Sequence, residues 1–200
     1  TKAVSDVYQD LSGQGSYHGK GIYDVKAFNK VLTDHFPEER ILSHDLIEGE
    51  YVRVGLASDI ELYDEFPQSY QGDVGRQHRW IRGDWQIASW LFPIIPASHG
   101  QKNLNLLGLF SRWKIFDNLR RSLLSASSVC CLLVSWQLDS RTALLTTLII
   151  TGLIFFQPLI QLRTIVSGRA GLKSFSVIQL RHNILRAVVD AALLPHQAVI

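Results

Sequence analysis

The chain has 200 residues, 46% of them hydrophobic, and its 20 basic and 18 acidic residues give a formal net charge of +2. This small charge, with basic residues dispersed along the sequence, argues against a nucleic-acid partner. The two cysteines, Cys130 and Cys131, are adjacent within an apolar run, which excludes a disulfide framework and a cysteine zinc site.

Acidic residues and apolar runs are distributed unevenly along the chain. Nearly all the acids lie in the first hundred residues and most long apolar runs in the second hundred, which predicts two environments. The chain begins at Thr1, contains no methionine and ends at Ile200 within an apolar pattern. We therefore expect it to be a piece of a longer protein.

The first hundred residues predict a layered α/β domain, in which helices and strands alternate. Residues 1–17 are small and polar and lead into a glycine cluster, which predicts a loop and leaves a substrate-lining turn open. Asp24 is expected to cap a helix with an apolar stripe that stops at Phe36-Pro37. Residues 51–57 read as a strand, and residues 59–66 as a shorter strand or turn.

The helical signals strengthen after residue 70. Residues 74–91 predict a helix that Pro93 and Pro96 close. A polar linker follows, and then residues 106–116 form an amphipathic run with Trp and basic residues near its end, which is typical of a helix at a membrane interface.

Two later runs predict a transmembrane hairpin. Residues 122–138 and 142–162 contain no charged side chain, and the second run is long enough to cross a hydrocarbon core of about 30 Å. Two buried helices of a soluble bundle are the alternative, although those would normally show a polar face. Basic residues flank the hairpin on both sides, so the positive-inside rule places both of its ends in the cytoplasm.

The predicted organisation thus has four parts. Residues 1–100 form the later half of a catalytic domain, residues 101–119 an interfacial helix and linker, and residues 120–165 the hairpin. Residues 166–200 form a cytoplasmic segment, within which residues 184–200 are candidates for the start of a further membrane helix.

The segment Arg76-Gln77-His78-Arg79-Trp80 is the first candidate for chemistry. In a helix, Arg76, Arg79 and Trp80 share one face. Guanidinium groups can donate paired hydrogen bonds to a diphosphate, and an indole can stack on a sugar ring. The alternative is a belt of Trp and Arg at a membrane surface.

The second candidate is the segment from Ser43 to Gly49, with two carboxylates three residues apart. Asp45 or Glu48 could act as a general base on an acceptor hydroxyl. Asp45 could equally cap a helix and Glu48 be a solvated residue. His44 could orient a carboxylate, but it has no second histidine at ligand spacing. Lys20 and Asp84 are further secondary candidates, and Lys20 lacks the following Ser or Thr of a phosphate-binding P-loop.

Taken in order, these motifs resemble those of the processive, inverting glycosyltransferases of the cellulose-synthase type. There, an acidic triplet bears the catalytic base and a (Gln/Arg)-x-x-Arg-Trp motif follows it. Beyond these motifs, the first 125 residues resemble the glycosyltransferase region of cyclic β-1,2-glucan synthases, through the strings GSYHGKGIYDV, LSHDLIEG, EFP, RQHRWIRGDWQ and FDNLRRSL. His44 departs from the acidic middle residue of the triplet, and Arg76 from the commoner Gln.

The resemblance implies the C-terminal part of a GT-A-type nucleotide-sugar domain followed by transmembrane helices in a bacterial inner membrane. It further implies transfer of glucose from UDP-glucose to a growing β-1,2-glucan acceptor with inversion. Asp45 would be the base, Arg76 and Arg79 would bind the donor diphosphate, and Trp80 would bind the acceptor.

The resemblance also implies a bound Mg²⁺ or Mn²⁺. Its Asp-x-Asp motif does not occur before Asp45, so we expect the metal ligands upstream of this chain, no metal site within it, and no activity from this piece alone. A membrane anchor or transport segment without catalysis, and part of a β-glucan phosphorylase polypeptide, are the alternatives.

Overall fold

The computed structural model describes residues 2–17, 19, 21–33, 35–37, 40–41, 45–57, 59–60, 65, 67–167 and 173–200. The chain divides into two compact units, Thr1–Ser122 and Leu123–Ile200. Each unit has its own set of helices.

The first unit is built mainly from helices, with one small hairpin near its end. In chain order, its elements are α1 (Lys2–Ser12), α2 (Val25–Leu32), α3 (Asp45–Val52), α4 (Tyr70–Gln86), a 3-10 turn (Ala88–Leu91), β1 (Ile94–Pro96), β2 (Lys102–Leu104) and α5 (Leu109–Ser122). The strands β1 and β2 are antiparallel, and Ile94 lies opposite Leu104.

A single hydrophobic cluster holds α3, α4, α5 and the hairpin together. Its fully buried members include Ile47 from α3, Trp90 from the 3-10 turn and Ile115 from α5. Phe36, Tyr51 and Leu91 pack around it. Burial of each large apolar side chain contributes about 1.5–3 kcal/mol, so this cluster fixes the position of α3 against α5.

The helix signals in the sequence are confirmed where a cap or a proline marks them. Asp24 caps α2, since its carboxylate accepts hydrogen bonds from the backbone amides of Lys26 and Ala27. The helix predicted over residues 74–91 is α4 with the 3-10 turn that follows it. The helix predicted over residues 106–116 is α5, which begins at Leu109; its location at a membrane interface stays a prediction.

The predicted α/β alternation is wrong for the described residues, which are mostly helical and contain two strands of three residues each. Residues 51–57, predicted as a strand, start inside α3, which ends at Val52. Arg53 then has a left-handed backbone, with φ 59°. The chain beyond it bonds to the loop before α2 and to the Gln9 side chain instead of a strand.

Two further predictions concern residues 1–17 and residues 59–66. Residues 1–17 were expected to form a loop, yet Lys2–Ser12 is the helix α1. The strand or turn predicted over residues 59–66 lies largely outside the described residues.

The second unit contains α6 (Leu124–Ser135), α7 (Ser140–Ile154), α8 (Phe156–Val166) and α9 (Lys173–Gln197). Asp139 caps α7 by accepting from the amides of Arg141 and Thr142. The helices α8 and α9 pack together, and the amide of Asn183 donates to Gln161 at 2.5 Å.

The apolar runs of this unit form shorter helices than predicted. The run over residues 122–138 contains the 12-residue α6, and the run over 142–162 is divided into α7 and α8, which are bent by 67°. Pro158 lies in the first turn of α8, where its missing N–H is tolerated, whereas it would interrupt a continuous helix. In the described part of the chain, no single helix is long and apolar enough to cross a membrane, although α7 and α8 together meet the length and composition test.

Candidate functional site

Asp45 is the first residue of α3, and it lies against the backbone of the glycine loop, by which we mean the described residues 14–17 and 19. Gly19 in that loop has φ +77°. A methyl group on its Cα would be 2.9 Å from Oδ2 of Asp45. The partly buried Asp45 carboxylate therefore has the loop backbone on one side.

Tyr17 brings the same loop onto the next turns of α3. A Cβ added to Gly49 would be 2.6 Å from Cβ and 3.4 Å from the backbone N of Tyr17, so the Tyr17 main chain and Cβ pack where α3 has no side chain. Burial raises the pKa of the Tyr17 hydroxyl, and the nearby Tyr23, Glu48 and Asp45 raise it further. The hydroxyl is therefore neutral at physiological pH and able to donate a hydrogen bond.

A buried ion pair holds the start of this loop. Nζ of Lys114 in α5 lies 2.7 Å from Oε1 of Glu50 in α3, and their side chains are 4% and 2% exposed. The other oxygen of Glu50 accepts from Ser111 at 2.5 Å and from Gln14 at 2.6 Å. Lys114 also donates to the carbonyl of Gly15 at 3.4 Å. This network joins α3, α5 and the loop.

The candidate residues on α4 form a second group. The Arg76 guanidinium carbon lies 4.8 Å from the centroid of the Trp80 ring, so the predicted shared face is present. Arg76 also pairs with Asp73 at 2.9 Å. Trp80 is 54% exposed, and Arg79 is exposed beside it. An exposed indole next to guanidinium groups can stack on a sugar ring and contact a phosphate.

Asp84, a secondary candidate, faces α5 and is partly buried. Its Oδ1 accepts from the Asn118 amide at 2.9 Å. Burial raises the pKa of Asp84, and the hydrogen bond from Asn118 and the charge of Arg121 offset part of that rise. These contacts make Asp84 a link between α4 and α5.

Sequence reasoning selected Asp45, Glu48, Arg76, Arg79, Trp80 and Asp84, all of which the structure describes. His44 and Lys20 lie outside the described residues. Tyr17, Gly19 and the Glu50–Lys114 pair were missed as parts of the site. The glycine cluster was the available signal for the loop, whereas nothing in the sequence paired Glu50 with a lysine 64 residues away.

The described residues do not fit a metal site. Within them, no group of three or more His, Cys, Asp or Glu side chains is arranged to hold a metal ion. Asp45 has Glu48 as its acidic neighbour on α3, and two carboxylates alone fall short of the six oxygen ligands that Mg²⁺ requires. The Mg²⁺ or Mn²⁺ that the resemblance implies would need ligands from other residues.

No protein-family model matches the chain. The chain is nevertheless similar in sequence to one glucan synthase.

The relative is the cyclic beta-(1,2)-glucan synthase NdvB of Rhizobium meliloti (strain 1021), with 42% identity over 160 residues. The match covers 80% of this chain and 5% of the relative. The chain thus spans a small part of that protein, and the resemblance to a cyclic β-1,2-glucan synthase is confirmed.

Proposed function

We propose that this chain is the acceptor side of a glycosyltransferase, an inverting and processive enzyme that transfers glucose from UDP-glucose to the 2-hydroxyl of a growing β-1,2-glucan. The observation that carries the proposal is the 42% identity to a cyclic β-(1,2)-glucan synthase over the segment that holds these motifs. The position of Asp45 in the structure supports the role given to it.

Asp45 is the general base in this mechanism. It takes the proton from the acceptor 2-hydroxyl while that oxygen attacks the anomeric carbon of the donor glucose, and the bond to the UDP oxygen breaks on the opposite face. A base needs an accessible carboxylate with a fixed orientation. Asp45 is partly buried against the backbone of Gly19, and it belongs to a helix anchored in the core by Ile47.

Residues of α4 bind both the donor diphosphate and the acceptor glucose. Arg79 and Arg76 stabilise the negative charge that develops on the leaving diphosphate, which is the electrostatic contribution to catalysis. Trp80 stacks on the acceptor glucose and orients it. Asp73 holds the Arg76 side chain along the helix, where its guanidinium lies over the Trp80 ring.

The second unit attaches the catalytic unit to the bacterial inner membrane, with the catalytic unit in the cytoplasm. Its exposed apolar side chains support this assignment: Leu148, Ile149 and Leu153 of α7 are 58%, 62% and 69% exposed. Lipid contact would remove this apolar area from water. The bent pair of α7 and α8 satisfies the length and composition of a membrane segment.

The test is Asp45→Asn in the intact enzyme, assayed by glucose incorporation from labelled UDP-glucose. We expect the initial rate to fall about 10²–10⁴-fold, the usual contribution of a general base, with an unchanged folded yield. Glu48→Gln, three residues further along α3, is the matched control and should stay within tenfold of the parent. Normal incorporation by Asp45→Asn would remove the assignment, and a loss confined to Glu48→Gln would transfer the base role to Glu48.

Donor dependence separates the transferase from the two alternatives. A transferase consumes UDP-glucose, a phosphorylase consumes glucan and inorganic phosphate, and a membrane anchor consumes neither. Assays with each donor should therefore show that Asp45→Asn affects the UDP-glucose reaction alone.

A further inference from the structure

We propose that the glycine loop is a positioning device for Asp45, in which the backbone of Gly19 sets the orientation of the carboxylate and the buried Glu50–Lys114 pair sets the position of the loop. This inference rests on the proposed role of Asp45 as the base. It assigns a function to Gly19, Tyr17 and Glu50 that the motifs themselves do not contain.

Position 19 requires glycine for two separate reasons. Its φ of +77° lies in the left-handed region, which side chains with a Cβ rarely adopt. A Cβ at this position would also be 2.9 Å from Oδ2 and 3.3 Å from Cγ of Asp45. Either the loop or the carboxylate would have to move.

The start of the loop is held near the C-terminal end of α3 and just beyond it. The amide of Gly15 donates to the carbonyl of Val54 at 2.6 Å, and the Gln14 side chain donates to Glu50. Lys114 reaches both Glu50 and the carbonyl of Gly15. The loop is thus attached to the residues that follow α3 and, through Lys114, to α5.

Tyr17 gives the loop a third point of contact between these two ends. Its Cβ lies over Gly49, so any side chain at position 49 would displace the loop. The three contacts fall at Asp45, Gly49 and Glu50, within the first six residues of the eight-residue α3. A rigid connection of this kind fixes the carboxylate without adding a reacting group.

Gly19 has no side chain and acts through Asp45, so it is a positioning residue. A misplacement of about 1 Å at a reacting group can lower a rate about 10²-fold. Disturbing the Gly19 contact should therefore reduce kcat and leave donor binding, which Arg79 and Arg76 provide in the proposed function, nearly unchanged.

The test is Gly19→Ala in the intact enzyme, with Gly13→Ala as the matched control. Gly13 also has a positive φ, of +70°, but a Cβ there would meet nothing within 4 Å. The control therefore carries the same backbone strain without the contact to Asp45. We expect Gly19→Ala to lower kcat about 10- to 100-fold with the KM for UDP-glucose within about twofold, and Gly13→Ala to keep kcat within about threefold.

If Gly19→Ala does not fold, Gly19→Asn and Gly13→Asn replace the alanine variants in the test. Asparagine tolerates the left-handed backbone and still carries a Cβ. Equal kcat values in the two members of a pair would overturn the inference, even if Asp45→Asn is inactive. An active Asp45→Asn enzyme would overturn the proposed function and this inference together. A rise in KM with kcat unchanged would also contradict a positioning role.

Discussion

The substitution Lys114→Met tests whether the buried ion pair holds the first unit together. Methionine keeps the length and apolar character of the lysine stem but removes its charge. Glu50, with a side chain 2% exposed, would then keep only the neutral donors Ser111 and Gln14. The substitution also removes the cation that lies 5.1 Å from the Tyr8 ring and 5.0 Å from the Phe110 ring.

Removal of one partner from a buried ion pair typically costs about 3–5 kcal/mol, because the remaining charge is buried without its counter-ion. Ser111 and Gln14 are neutral donors and do not replace the charge of Lys114.

The free energy of unfolding of the chain can be measured by urea titration in mild detergent, with tryptophan fluorescence as the signal. Trp90 is fully buried in the core of the first unit and reports on its unfolding. We expect Lys114→Met to lose about 3–5 kcal/mol at pH 7, because the substitution leaves the buried Glu50 side chain without its cation.

The double variant Glu50→Gln/Lys114→Met is the control. It replaces the ion pair with neutral groups, so it should recover most of the loss. A loss below about 1 kcal/mol in Lys114→Met at pH 7, or no recovery in the double variant, would refute the reasoning.

Two further predictions concern Asp84 and the membrane. Burial raises the pKa of Asp84 in the folded state, so the folded state binds the proton more tightly than the unfolded chain does. Stability therefore falls as pH rises from the ordinary pKa of about 3.9 through the folded-state pKa. Asp84→Asn should remove this pH dependence and raise the melting temperature at pH 7, and an unchanged slope between pH 3.5 and 7 would contradict the prediction. Cys130 and Cys131 are exposed on α6, so in chains reconstituted into lipid vesicles a charged maleimide should label them only after detergent is added. Asp24→Cys in the first unit is the accessible control. Rapid labelling of Cys130 and Cys131 before detergent is added would count against lipid contact.

The sequence predicted those helices that have a local marker. The Asp24 cap and the prolines after residue 91 bound α2 and the α4 region, and both predictions are confirmed. The strand predicted over residues 51–57 is wrong. The Tyr and Val residues in this stretch favour strands, but Ile47 and Tyr51 pack into the core as part of a helix. Tertiary burial overrides a propensity that is worth only about 1 kcal/mol.

The candidate site shows the same division between local and distant information. Arg76 and Trp80 share a face because they are four residues apart on one helix, and that contact follows from spacing alone. Gly19 and Asp45 are 26 residues apart, and Glu50 and Lys114 are 64 apart. Spacing carries no information about such pairs, so only the folded chain brings them together.

The shortness of α3 joins the stability of this unit to its proposed chemistry. Helices of fewer than about 12 residues are marginal in isolation, and α3 has eight. Its position must therefore come from tertiary contacts: Ile47 in the core, Gly49 under Tyr17, and Glu50 on Lys114. Asp45 is the first residue of this helix, so any change that shifts these contacts also shifts the carboxylate. Substitutions in the core and the ion pair should consequently lower activity before they unfold the unit.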